Sequence, residues 1–177
     1  DEDDRGRIID EMNETFNQGR GANGTIIARY VPDESLEGKN LEEIAESMGT
    51  TPAEAALRIY EKSEAMVVSY GMTDEDVETF AAHPLIAVAS DGESLSTEGV
   101  LSAGKPHPRS YGTNPRFIQK FVNEKKLVSI QEAVRKMTSM PAQRLGLTNR
   151  GRLTPGYAAD IVIMDLPNVK ETATFTD

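Results

Sequence analysis

The sequence predicts an α/β fold, and three observations carry the prediction. The run Met66-Val67-Val68-Ser69-Tyr70 is followed by a helix signal opened by Thr73, with Val77, Phe80 and Ala81, and then by the run Leu85-Ile86-Ala87-Val88-Ala89. Strand, helix and strand in that order describe a βαβ unit. Neither run alternates apolar with polar residues, the pattern of parallel strands covered on both faces. Several further segments carry helical periodicity with start and stop signals. A chain of 177 residues, 38 % of them hydrophobic, suffices for one cored domain with or without an appendage.

In chain order, Ile8, Ile9 and Met12 sit at helical spacing, and Gly19, Gly21 and Gly24 end that helix. Thr25-Ile26-Ile27-Ala28-Arg29-Tyr30 is β-rich and predicts a strand, which Pro32 and Asp33 break. Leu41, Ile44, Ala45 and Met48 form one face of a short helix with Asn40 as N-cap, Glu43 in the capping-box position and Gly49 as the stop. A second short helix starts at Thr51, has Pro52 in its first position and Glu54 closing a box, and carries Ala55, Ala56, Ile59 and Tyr60. After the βαβ pattern, which His83-Pro84 interrupts at the helix end, a polar loop runs from Glu93 to Lys105. A helix is expected from Pro115, with Phe117, Ile118, Phe121 and Val122 on one face. Another is capped by Ser129 with Glu132 three residues on, carries Ala133, Val134 and Met137, and ends before Pro141; a last turn closes at Gly146. The tail alternates turn and strand, with a Pro155-Gly156 turn before the strand candidate Ile161-Val162-Ile163-Met164.

Composition excludes several functions. The chain has no Cys and 2 His, so a disulfide framework, a zinc ribbon and a thiolate nucleophile are ruled out. A net charge of −10 repels phosphate backbones, so no nucleic-acid partner is expected. No window approaches the roughly 18 consecutive apolar residues of a membrane span. The opening run Asp1-Glu2-Asp3-Asp4-Arg5 carries neither initiator Met nor signal peptide and reads as mid-protein sequence, so a fragment of a longer chain is expected, with a cytoplasmic location.

Asp91 is the first chemical candidate. It follows the apolar run 85–89, and in parallel α/β sheets reactive groups gather at the C-terminal ends of strands. A carboxylate there can ligate a metal, take a proton from water, or only cap the next loop. Gly92 permits a sharp turn and leaves room for a ligand. Arg109 can hold a substrate carboxylate bidentately, or pair with one of many acidic neighbours. His107, fixed between Pro106 and Pro108, and Tyr111 are candidate site-lining residues with an equally available structural role.

Several strings in order resemble one family. They are Ala89-Ser90-Asp91-Gly92, the run His107-Pro108-Arg109-Ser110-Tyr111-Gly112-Thr113, the run Glu132-Ala133-Val134-Arg135-Lys136-Met137-Thr138, then Pro141-Ala142, Leu145-Gly146-Leu147, and Arg150-Gly151-Arg152-Leu153-Thr154-Pro155-Gly156-Tyr157-Ala158-Ala159-Asp160-Ile161-Val162. Together with Leu36-Glu37-Gly38-Lys39 they resemble the C-terminal part of the N-acyl-D-amino-acid deacylases (D-aminoacylases) of the amidohydrolase superfamily. The final Gly156-Tyr157-Ala158-Ala159-Asp160-Ile161-Val162 segment is common to many amidohydrolases, and the 107–113 string narrows the match to the deacylases.

The resemblance implies a partial (β/α)8 barrel of a metal-dependent hydrolase, with a small helical insertion and β-sandwich strands. Residues 1–65 are then the insertion, 66–148 the last βα units, and 149–177 the sandwich tail. It implies that Asp91 approaches a zinc ion and shuttles the proton of the attacking water, and that Arg109, with His107 and Tyr111, binds the small-molecule N-acyl amino acid. The family's His-x-His pair and its further His and Cys ligands are not in this sequence, so the zinc ligand set is incomplete. The isolated chain is expected to be inactive and, with barrel edges uncovered, to self-associate. The alternatives are a cyclic-amide hydrolase of the dihydroorotase or hydantoinase kind, and a non-catalytic packing domain.

Overall fold

The computed structural model describes residues 2–17 and 21–176, which form two units; Asp1 and the expected helix terminator Gly19 lie outside them. Unit 1 contains residues up to Gly71, Ser94–His107 and the end of the chain from Thr174. Unit 2 contains Met72–Glu93 and Pro108–Ala173.

Unit 1 holds helix α1 (Glu2–Asn17), strand β1 (Thr25–Arg29), helices α2 (Leu41–Met48) and α3 (Pro52–Lys62), and strand β2 (Met66–Ser69). Its core gathers Ile27, Tyr30, Leu36, Leu41, Ile44 and Ile59, and the buried Tyr30 hydroxyl donates to the Ile59 carbonyl at 3.1 Å. The helix starts follow the capping signals. Asn40 Oδ1 accepts from the Glu43 amide while the Glu43 carboxylate accepts from the Asn40 amide, each at 2.9 Å, and Gly49 closes α2 at φ 61°. At α3, Thr51 accepts from the Glu54 amide, but Glu54 does not close the expected box. Its carboxylate instead takes both Arg5 guanidinium nitrogens, at 2.6 and 3.0 Å, and Arg58 at 2.9 Å, which ties α1 to α3.

These cations, Arg5 foremost through its hydrogen bonds, hold the Glu54 carboxyl at about 2, below its ordinary 4.5. A carboxylate with a lowered folded-state pKa contributes stability that is present above the unfolded value and lost as pH falls through the folded one. The stability of unit 1 is therefore expected to fall between pH 4.5 and about 2. Glu54→Gln should flatten that segment of the pH–melting curve measured by circular dichroism, and an unchanged curve would count against the tie.

The expected βαβ unit does not form. β2 pairs antiparallel with β1 in the register Thr25↔Ser69, Ile26↔Val68 and Ile27↔Val67, with an irregularity before Arg29↔Met66. The other edge of β1 is covered by residues 38–40: the Ile27 amide donates to the Lys39 carbonyl at 2.9 Å and the Gly38 amide to the Ile27 carbonyl at 2.8 Å. The sheet among the described residues thus has two strands, both in unit 1.

Leu85–Ala89, expected as a strand, joins no ladder. An apolar run of this length reads alike in strands and in other buried segments, and only a neighbouring strand decides between them. Here the neighbour is a helix. The tail run Ile161–Met164, expected as a strand, likewise carries no ladder, and Ile161, Val162 and Ile163 are exposed. Further on, the tail is held by side chains: Asn123 Nδ2 donates to the Leu166 carbonyl and the Glu171 amide to Gln119 Oε1, each at 2.8 Å.

Unit 2 packs α4 (Asp74–Ala82), α5 (Arg109–Phe117) and α6 (Ile130–Met137) around Phe117, Ile118, Phe121, Val128 and Ala133, and α7 (Ser139–Arg144) packs on α6. The helix expected from Pro115 begins six residues earlier, at Arg109, so that Pro115 lies inside α5. Proline donates no hydrogen bond and crowds the preceding turn, and beyond it the helix widens into a π segment, Ile118–Glu124. Lys120 and Lys125 from this region pair with Asp74 and Glu78 of α4.

Candidate functional site

Asp91 and Arg109 meet. Arg109 Nη2 lies 2.6 Å from Asp91 Oδ2, with both side chains open to solvent. Asp91 is the outlet of the 85–89 run and has φ 48°, the left-handed region that a non-glycine side chain adopts at a cost. Strain of this kind concentrates at functional positions and persists only when the surroundings impose it. Arg109 stands in the first turn of α5, directly after Pro108.

Gly92 has a different task from the one its sequence context predicts. A Cβ on Gly92 would lie 2.8 Å from Ser110 Cα and 3.3 Å from Ser90 Oγ. The space beside it is therefore filled by the start of α5 and not by a ligand. Close approach of two backbones is what brings Asp91 within reach of Arg109. Gly92→Ala is expected to push the start of α5 away and break the pair, lowering the melting temperature by several degrees, as roughly 1–3 kcal/mol of overpacking does. A variant melting at the unaltered temperature would show that the two backbones can separate without cost.

The run 85–89 is held by α6. The Lys136 carbonyl accepts from the Val88 amide at 3.2 Å, Lys136 Nζ donates to the carbonyls of His83 and Ile86, the latter at 2.9 Å, and Arg135 Nη2 donates to the Pro84 carbonyl at 2.6 Å. Lys136 is fully buried at 0 % exposure. Burial pushes its ammonium pKa down, Glu132 opposes that shift and Arg135 adds to it. Glu132 accepts two hydrogen bonds from Arg135, whose guanidinium holds the carboxyl below its ordinary range. Neither Arg135 nor Lys136 is a site candidate from sequence alone, although Lys136 follows the buried Ala133 at the helical spacing of one face.

An apolar groove of about 350 Å³ opens beside the same run, lined by Met72, Phe80, Ile86, Val88, Phe117 and, at its polar end, Arg116. Arg116 Nη1 pairs with Glu171 Oε2 at 2.6 Å, and Glu171 packs so closely on Gly112 that a Cβ there would meet Glu171 Oε1 at 2.8 Å.

The other two candidates fall in different units. Tyr111 lies on α5 of unit 2, half exposed. His107 belongs to unit 1, where its ring stacks edge-on against Phe175 at 5.1 Å, and Phe175 in turn meets Tyr70 at 5.1 Å. Among the described residues no three His, Asp or Glu side chains converge as a metal site would require, and no helix is long and apolar enough to cross a membrane.

Comparison with known proteins shows what the chain is similar to. The amidohydrolase family profile matches residues 102–177. The chain is 33 % identical to the N-acyl-D-aspartate deacylase of Alcaligenes xylosoxydans xylosoxydans over 161 residues, 91 % of this chain and 30 % of that protein. A D-aminoacylase of the same organism is 34 % identical over 87 % of this chain and 30 % of its own length. Among solved structures, the Bordetella bronchiseptica N-acyl-D-glutamate deacylase, complexed with zinc and a phosphonate mimic of the tetrahedral intermediate, superimposes with a TM-score of 0.77 at 29 % identity, over 91 % of this chain and 32 % of that one.

Over residues 102–177 the chain is similar to the amidohydrolase family. Within it, this sequence is similar to the N-acyl-D-amino-acid deacylases, and it spans about 30 % of the length of the curated relatives it matches.

Proposed function

We propose that this chain is part of a metal-dependent hydrolase that cleaves the amide bond of N-acyl-D-amino acids, with Asp91 and Arg109 in its active site. The observation that carries the reading is their ion pair: a guanidinium holding a carboxylate at 2.6 Å at the end of the run that delivers Asp91. Arg109 already takes a carboxylate, so the carboxylate of an amino acid can replace that of Asp91 on it by exchange of one anion for another. Asp91, released, can accept a proton beside the bound substrate. The names of the relatives, each a deacylase of N-acyl-D-amino acids, support the substrate class.

Zinc supplies polarisation of the acyl carbonyl and an acidified water in such an enzyme, and the N-acyl-D-glutamate deacylase structure contains it. The residues of this chain do not fit a zinc site by themselves. A catalytic zinc takes about three protein ligands, and the described residues offer no converging group while Asp91 is held by Arg109. In this reading the other ligands come from outside the 177 residues. Residues 1–65 are then a barrel insertion, 66–148 the last βα units with Leu85–Ala89 as a barrel strand, and 149–177 a sandwich tail. The lack of a strand ladder at 85–89 among the described residues and the exposed side chains of Ile161–Ile163 support that reading, because a sheet neighbour would complete both runs. The same exposed edge supports self-association of the isolated chain.

A substrate panel tests the proposal. The full-length protein carrying this sequence is expected to hydrolyse N-acyl-D-amino acids in preference to their L-enantiomers and to leave hydantoins intact. Turnover of hydantoins with none of acyl amino acids would transfer it to the cyclic-amide hydrolases, and no hydrolysis of either would leave a packing role.

A further inference from the structure

Two consecutive residues of α6 do for residues 83–88 what a neighbouring strand does in a sheet. Three hydrogen bonds join Lys136 to this stretch, through its carbonyl to the Val88 amide and through Nζ to the carbonyls of His83 and Ile86, and Arg135 adds a fourth at Pro84. A buried ammonium is retained only where its protons are bonded, and it has three to place. At Lys136, two carbonyl oxygens of one short segment take two of them. That segment runs straight into Ala89-Ser90-Asp91.

The geometry points to Lys136 as a positioning residue: it fixes the course of residues 83–88 and thereby the place from which Asp91 meets Arg109. Only the kinetic part of this inference rests on the function proposed above. If Lys136 merely filled volume in the core, a methionine of similar length would serve as well.

Hydrogen exchange of the 177-residue chain separates the two. In Lys136→Met, peptides covering residues 84–93 are expected to exchange about tenfold faster or more, the factor that the loss of one charge-assisted hydrogen bond corresponds to. Peptides covering the π segment should be unchanged, and Lys136→Arg, which keeps the donors, should recover part of the protection. In the full-length protein the same Met variant should lower kcat on N-acyl-D-amino acids with little change in KM, because Arg109 is carried by α5 and not by the displaced run. In the unaltered chain, the Lys136 ammonium should give its own slowly exchanging nitrogen resonance, a reading that does not require the variant to fold. Unchanged exchange at 84–93, or an ammonium signal averaged with solvent, overturns the proposal. Loss of protection at 84–93 in a full-length protein that hydrolyses no acyl amino acid would overturn the deacylase reading and leave the positioning role standing.

Discussion

Asp91→Asn in the full-length protein is expected to lower kcat on N-acyl-D-amino acids by about 10²–10⁴-fold, the range that a positioned general base contributes. Asparagine is the informative replacement. It keeps the shape of the side chain and tolerates the left-handed backbone that Asp91 adopts at φ 48°, whereas alanine would add backbone strain to the loss of the carboxylate. The Asp91 side chain is exposed, so its neutral isostere should leave the melting temperature almost unchanged. The measurement is steady-state hydrolysis beside a thermal melt. Turnover close to that of the unaltered protein would remove Asp91 from the chemistry, and a melt several degrees lower would assign the loss of rate to the fold.

Arg109→Ala is expected to raise KM for N-acyl-D-amino acids by about 10- to 100-fold, as the loss of a charge-assisted hydrogen bond worth roughly 1.5–3 kcal/mol implies. An acyl amide without the carboxylate should lose little, because the group that Arg109 recognises is missing from it. Lysine should restore only part of the affinity, since a point charge does not reproduce the two parallel donors of a guanidinium. Equal losses on both substrates would show that Arg109 acts through the Asp91 pair and not on the substrate. The two variants also inform one another: with Asp91 neutral, Arg109 loses the anion that occupies it, so KM in Asp91→Asn should fall or stay level.

Much of the local structure is legible in the sequence because its causes are local. Asn40 with Glu43, Thr73 as an N-cap, and Gly49 at a left-handed φ act within one turn of chain, and each helix end they announce is where the residues place it. Asp91 and Arg109 are legible as chemistry for a similar reason, since a strand-end carboxylate and a guanidinium beside constrained prolines are unusual strings. Their meeting is not local. It depends on Gly92 letting the start of α5 approach, which only the packed chain reveals.

The runs that join no ladder share one cause. Leu85–Ala89 and Ile161–Met164 were strand candidates because apolar, β-branched residues fit a sheet, but a strand is completed by its neighbour. Val67 and Val68 found theirs in β1, antiparallel and earlier in the chain, while the Val88 amide found the carbonyl of a helical lysine. Glu54 illustrates the same principle for a side chain: its position predicts a capping box, and two arginines outcompete the backbone amide for its oxygens.

By itself, then, the sequence determined the resemblance to the deacylases, the helix starts set by caps, and the choice of Asp91 and Arg109 as candidates. The tertiary structure alone decided that these two groups pair at 2.6 Å, that His107 packs against Phe175 within unit 1, and that a buried Lys136 holds the run leading to Asp91. The division follows from the range of the forces. A cap is satisfied within four residues of chain, whereas a buried ammonium takes its partners from whatever carbonyls the fold brings to it, here about 50 residues away.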